Sequence, residues 1–113
     1  MTDLVSNERP LVIQRAEVKH FGAVAAIALN HLAYWAGREV RTYDGYRWIS
    51  ATYAEWGAEV GLTAKATRGA ADRLRNEGVV VAIQNPLESL DRTLWWRVDY
   101  GRLNMIFNRA VRP

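Results

Sequence analysis

The sequence predicts a single α+β domain, mainly helical, on three observations. Apolar residues recur at three- and four-residue steps in three separate stretches, the period of a helix with one buried side. Two β-prone runs near the end of the chain flank a polar stretch containing Pro86, the pattern of a hairpin. At 113 residues the chain is long enough for one packed core and too short for two.

A polar tail through Pro10 precedes the domain, taken as residues 11–108, and a basic tail of residues 109–113 follows it. Leu11 to Gln14 is a short β-prone run. From Ala23, the residues Val24, Ile27, Ala28, His31, Leu32 and Trp35 mark a mostly buried helix closed by Gly37. Arg38 to Asp44 is polar, and Asp44-Gly45 is a turn pair leading into a strand over Tyr46 to Ile49. Ser50 is the expected N-cap of a helix through Tyr53, Trp56 and Val60 that Gly61 ends. Thr63 caps the next helix, which buries Thr67, Ala70, Ala71 and Leu74 and stops at Gly78. Val79 to Ile83 and Arg92 to Tyr100 form the hairpin. On its returning strand Leu94, Trp96, Val98 and Tyr100 share one side, and Thr93, Trp95, Arg97 and Asp99 the other. Arg102 to Asn108 is read as a closing helical turn.

Composition narrows the function classes. With no Cys and two isolated His, thiolate chemistry and a zinc site are excluded as expectations, and no metal or other cofactor is expected. The polar start and the lack of about 18 consecutive apolar residues point to a cytoplasmic protein without membrane contact. Net charge is +3, but it is unevenly spread: Met1 to Leu62 holds six basic and seven acidic residues, Thr63 to Pro113 nine and five. Positive potential belongs to the second half, where a polyanionic partner is expected.

The order helix, strand, helix, tight turn, helix, hairpin is that of a winged helix-turn-helix, whose second motif helix enters a DNA major groove. The outward face of that helix carries Lys65, Arg68, Arg73 and Arg75, cations able to meet phosphate or a guanine edge. Gly69 costs about 1 kcal/mol relative to Ala inside a helix, and close approach to a groove would offset that cost. Thr63, Ala64, Lys65, Arg68, Gly69, Asp72, Arg73 and Asn76 are therefore the candidate contacts with double-stranded DNA. Arg92 in the wing joins them, with Gln84 and Asn85 as further phosphate contacts. Glu88 and Asp91 in the same tip repel phosphate unless engaged internally, for instance with Arg92.

No catalytic residue is expected. Glu55 and Glu59 lie four apart on a helix, the spacing of a solvated face. His20 and His31 lack a Ser or Asp partner, and the Gly57 to Gly61 spacing lacks the Lys of a phosphate loop. Trp48, Trp56 and Trp96 fit core packing better than base stacking. Trp95 points opposite to Trp96 and needs cover from the other sheet face, a terminal segment or a partner. With the apolar runs Leu11 to Ile13 and Leu103 to Phe107, this slightly favours a homodimer.

The string DGYRWISATYAEWGAEVGLTAKATRGAADRLRNEGVVVA followed by DRTLWWRVDY, with LNHLAYWAG upstream, resembles the N-terminal winged-helix domain of phage and plasmid replication proteins of the replisome-organiser, DnaD-like type. The resemblance covers most of the span from Leu11 to Leu103. It implies a DNA-binding module used at replication origins, with Thr63 to Asn76 matching the recognition helix and a phage, prophage or plasmid as source. A small transcriptional regulator on an operator is the alternative. A winged helix that grips only a replication or transcription protein is the alternative of a different class.

Overall fold

A computed structural model describes residues 13–37 and 40–108. In chain order the elements are α1 (Arg15–Phe21), α2 (Ala23–Ala36), β1 (Arg41–Tyr43), β2 (Tyr46–Ser50), α3 (Tyr53–Ala58), α4 (Ala64–Asn76), β3 (Val80–Gln84), β4 (Leu94–Val98) and α5 (Tyr100–Ile106). Among the described residues this is an α+β fold of five helices and one antiparallel sheet, ordered β1-β2-β4-β3. β3 and β4 form the hairpin, and β2 joins its other edge with Ile49 opposite Trp96 and Ser50 opposite Trp95. The helices cover one side of the sheet. Leu29 and Leu32 of α2, Trp56 of α3 and Ala71 and Leu74 of α4 meet Ile49, Val80, Trp96 and Val98 in a single core.

Short-range chemistry explains where the elements differ from the sequence reading. Arg15–Phe21 is a helix that the β-prone reading of Leu11 to Gln14 did not foresee. Gln14 is its N-cap rather than a strand residue, and Leu11 and Val12 lie outside the described residues, as do Arg38 and the expected tails. The helix buries only Glu17 and Phe21, too few apolar positions to show a period. β1 is exposed along its length and paired through the Asp44-Gly45 turn, where both residues take positive φ of 52° and 79°. Such a turn matches the twist of a two-residue hairpin, so the turn pair made a strand on each side of itself.

Ser50 ends β2 and does not cap α3. Thr52 does, because Glu55 lies three residues on: Thr52 Oγ1 accepts from Glu55 N at 3.1 Å, and Glu55 Oε1 accepts from Thr52 N at 2.8 Å. α3 stops at Ala58, before Val60. β4 ends at Val98, not Tyr100, because Asp99 Oδ1 accepts from Arg102 N at 2.9 Å and starts α5 early.

Trp95 does not need a second subunit. It is 1% exposed within one chain, flanked in register by Ser50 and Ile83 and overlaid by the Arg41 guanidinium 5.6 Å from its ring centre. Leu103 is buried, and Ile106 and Phe107 pack against the core, leaving Met105 exposed. These contacts satisfy within the chain most of what favoured a dimer.

Leu74 is fully buried, so Leu74→Ala is expected to destabilise by about 2–5 kcal/mol, and Thr52→Ala by about 1 kcal/mol through loss of the cap. Urea unfolding followed by tryptophan fluorescence measures both. A cost at Leu74 below that at Thr52 contradicts this core.

Candidate nucleic-acid interface

The junction of α3 with α4 is built around Gly57. A Cβ there would sit on Thr67 Oγ1 and only 2.6 Å from Leu62 O, so glycine is what allows the two helices to approach. The chain turns at Gly61, φ 76°, and α4 begins with Thr63 Oγ1 accepting from Ala66 N at 3.1 Å. Thr67 Oγ1 in turn donates to Thr63 O at 2.9 Å, which satisfies a buried hydroxyl. Thr63 therefore serves α4 as its cap, and Ala64 beside it is exposed.

Thr67, Ala70, Ala71 and Leu74 are the buried side of α4, as the spacing predicts. Around the exposed side the cations divide. Arg73 Nη2 donates to His20 O at 2.7 Å, and its Nε lies 3.8 Å from Glu77 Oε2, so this arginine ties α4 to α1. Arg75 lies over the Trp96 ring at 5.8 Å, covering the core beside the hairpin. Lys65 and Arg68 are exposed and enter no hydrogen bond or ion pair with a described residue. Asp72 and Asn76 share that exposed side. The structure thus keeps Lys65 and Arg68 available together and commits Arg73 to the fold.

Gly69 is exposed too. A Cβ there would meet nothing within 4 Å, and its φ lies outside the left-handed region. By contrast Gly22, Gly45, Gly61 and Gly78 take positive φ, and Gly57 has a steric reason. Gly69 has no such cause within the chain.

The tip of the β3–β4 hairpin holds itself together. Asp91 Oδ1 accepts from Thr93 N at 2.9 Å and Oδ2 from Asn85 Nδ2 at 3.0 Å, while Asn85 Oδ1 accepts from Leu87 N at 2.9 Å. Asp91 is thus engaged internally, through Asn85 and Thr93 rather than Arg92. The Thr93 amide first, then the Asn85 amide and the Thr93 hydroxyl, hold its carboxyl below the ordinary 3.8. Gln84 Nε2 reaches Asp91 O at 3.5 Å, so Gln84 and Asn85 both serve the loop. Arg92 and Glu88 are exposed, and Leu87 and Leu90 stand out at the tip.

The remaining candidates have structural duties. His31 is fully buried with Nε2 3.0 Å from Glu59 Oε1, and the Trp35 indole donates to the same oxygen at 3.2 Å, so Glu59 fastens the end of α3 to α2. Glu55 belongs to the cap. Trp48, Trp56, Trp95 and Trp96 are buried and closed to stacking bases. Among the described residues no group of three or more His, Asp or Glu is placed to hold a metal, and no helix is long and apolar enough to cross a membrane. No protein-family model, curated protein or solved structure matches the chain.

Two measurements test this geometry. Gly69→Ala is expected to stabilise the free protein by about 0.5–1 kcal/mol, since helix propensity improves and nothing is displaced; a lower melting temperature contradicts that. Because Asp91 has a depressed value when folded, its contribution to tip order is complete above about pH 4 and is lost as pH falls through the folded value. NMR shifts of the Thr93 amide and the Asn85 side chain should titrate with a midpoint below 3.8, and a midpoint at or above it contradicts these hydrogen bonds to Asp91.

Proposed function

We propose that α2, β2, α3, α4 and the β3–β4 hairpin constitute a winged helix-turn-helix that binds double-stranded DNA without catalysis, α4 facing the major groove. The observation that carries this reading is the pair of uncommitted cations, Lys65 and Arg68, on the exposed side of a helix held by a glycine-tight junction to its neighbour. Gly69 on the same side supports it, since close approach of a duplex is a reason for glycine where the fold supplies none. Arg92 is the wing residue suited to phosphate. Replication-associated binding in the cytoplasm of a phage- or plasmid-bearing host is the role that the sequence resemblance favours, with operator binding as the alternative.

A protein-gripping winged helix is the second reading, and the exposed wing-tip Leu87 and Leu90 with acidic Glu88 between them favour it. Duplex binding at low salt separates the two. Under the first reading log K falls with log salt at a slope of roughly −3 to −5. Lys65→Ala and Arg68→Ala each weaken binding by about 1–3 kcal/mol with unchanged circular dichroism, and Gly69→Leu weakens it while leaving the fold intact. Absence of duplex binding at low salt, or full affinity in the double variant of Lys65 and Arg68, overturns it.

A further inference from the structure

The two edges of the sheet differ. β1 is three residues long, exposed throughout and carries Arg41, the short charged kind of edge that discourages further pairing. β3 is five residues long, and no charged residue occurs from Val79 to Leu87. Proline first appears at Pro86, past its end. β3 therefore lacks the usual guards of an edge strand.

Its backbone is open as well. Asn85 N donates to Thr93 O at 3.1 Å and Asp99 N to Val79 O at 2.8 Å, so the hydrogen-bonded pairs with β4 fall on odd-numbered residues, Val81 with Arg97 and Ile83 with Trp95. The N–H and C=O groups of Val80, Ala82 and Gln84 point off the edge and bond to no described residue. Val80 is enclosed at 3% exposure, whereas Ala82 is partly buried and Gln84 exposed. The open template is thus Ala82 to Gln84. Partly buried backbone groups without partners are unfavourable until another extended strand meets them.

One antiparallel self-register uses this template alone: Ala82 exchanges bonds with the partner's Gln84, the two-fold repeats the exchange, and Ile83 lies on the axis. Registers centred on Val81 or Ala82 need the enclosed Val80, and one centred on Gln84 sets Ala82 against a proline without an N–H. With Ile83 on the axis, a β-branched side chain faces its own copy and no like charges are opposed. We propose that β3 is a homodimer edge, joining the four-stranded sheets of two copies of this chain into one of eight about a two-fold axis at Ile83. What the second copy satisfies is the β3 backbone, not Trp95. The proposal does not rest on the duplex reading, which concerns α4.

Sedimentation equilibrium of the intact chain without nucleic acid, from about 20 µM to 1 mM, should show the mass rising toward twice that of the monomer, the weak association expected of a small contact. Gln84→Pro removes an outward N–H without touching a bond to β4, and should raise the dissociation constant by about tenfold with unchanged circular dichroism. The chain has no cysteine, which permits a test of register. Facing Ile83 residues form a non-hydrogen-bonded pair with Cα atoms about 4.5 Å apart, within disulfide reach, whereas the two Gln84 residues stand about 8 Å apart, beyond it. Under oxidised glutathione Ile83→Cys should therefore form a covalent dimer and Gln84→Cys should not. If Gln84→Pro unfolds, the unaltered chain and the two cysteine variants still decide. A monomer mass up to about 1 mM, an unchanged dissociation constant in folded Gln84→Pro, or no covalent dimer from folded Ile83→Cys overturns the proposal. Equal cross-linking by Gln84→Cys overturns the register.

Discussion

The position of α3 depends on a single buried hydrogen bond. Trp56 Nε1 donates to Ala28 O at 2.9 Å, with both residues fully buried. An indole N–H left unsatisfied at that depth would cost about 1–3 kcal/mol, so α3 can settle on α2 only at the depth that makes this bond. The same indole ring tilts against Trp96 with centroids 4.9 Å apart, which fixes the helix to the sheet as well. Gly57, the next residue, then sets how closely α4 can lie. The direction in which Lys65 and Arg68 point is a consequence of these three contacts.

A second node holds the far end of α4. His20 Nε2 lies 2.6 Å from Glu77 Oε1, Arg73 reaches back to His20 O, and Arg102 Nε donates to Glu77 O at 3.0 Å. His20, Phe21 and Phe107 pack edge to face around it. α1 and α5 are thus fastened to the C-terminal end of α4 by polar side chains. Three of the nine cations in the second half of the chain have structural duties: Arg73 and Arg102 donate to backbone carbonyls and Arg75 lies over the Trp96 ring, while all three stay exposed.

The parts legible in the sequence are those governed by local rules. Apolar content placed α2 but not its buried side, since Val24 is exposed while Ala25, Ala26 and Leu29 are buried; periodicity placed the buried side of α4, and the Thr63 cap and the Asp44-Gly45 turn are legible because each acts within a few residues. Thr52 was missed although its partner Glu55 stands at the capping-box spacing; Ser50, two residues earlier, offered the same chemistry and only pairing with Trp95 excludes it. α1 and β1 were illegible because neither buries enough apolar surface to leave a pattern. The division of α4 cations could not be read at all, since Arg73 is claimed by His20, 53 residues away in sequence. Trp95 shows the same limit from the other side: part of its cover is Arg41 of β1, a strand that the sequence pattern does not locate.

The pairing of Ile49 with Trp96 joins residues separated by nearly half the chain. The helices α3 and α4 and both hairpins can form from near neighbours, but the pairing of β2 with β4 must wait until all of them exist. Closing so long a loop carries an entropy penalty of order (3/2)RT ln n before any contact repays it, and such non-local pairing slows folding. β2 is therefore the element that reports completion: a nascent chain ending before Leu94 holds every residue of α4 yet lacks the strand that seats β2 on the hairpin. Trp96 carries that dependence into the core, because it is at once the partner of Ile49 and the ring on which Trp56 rests.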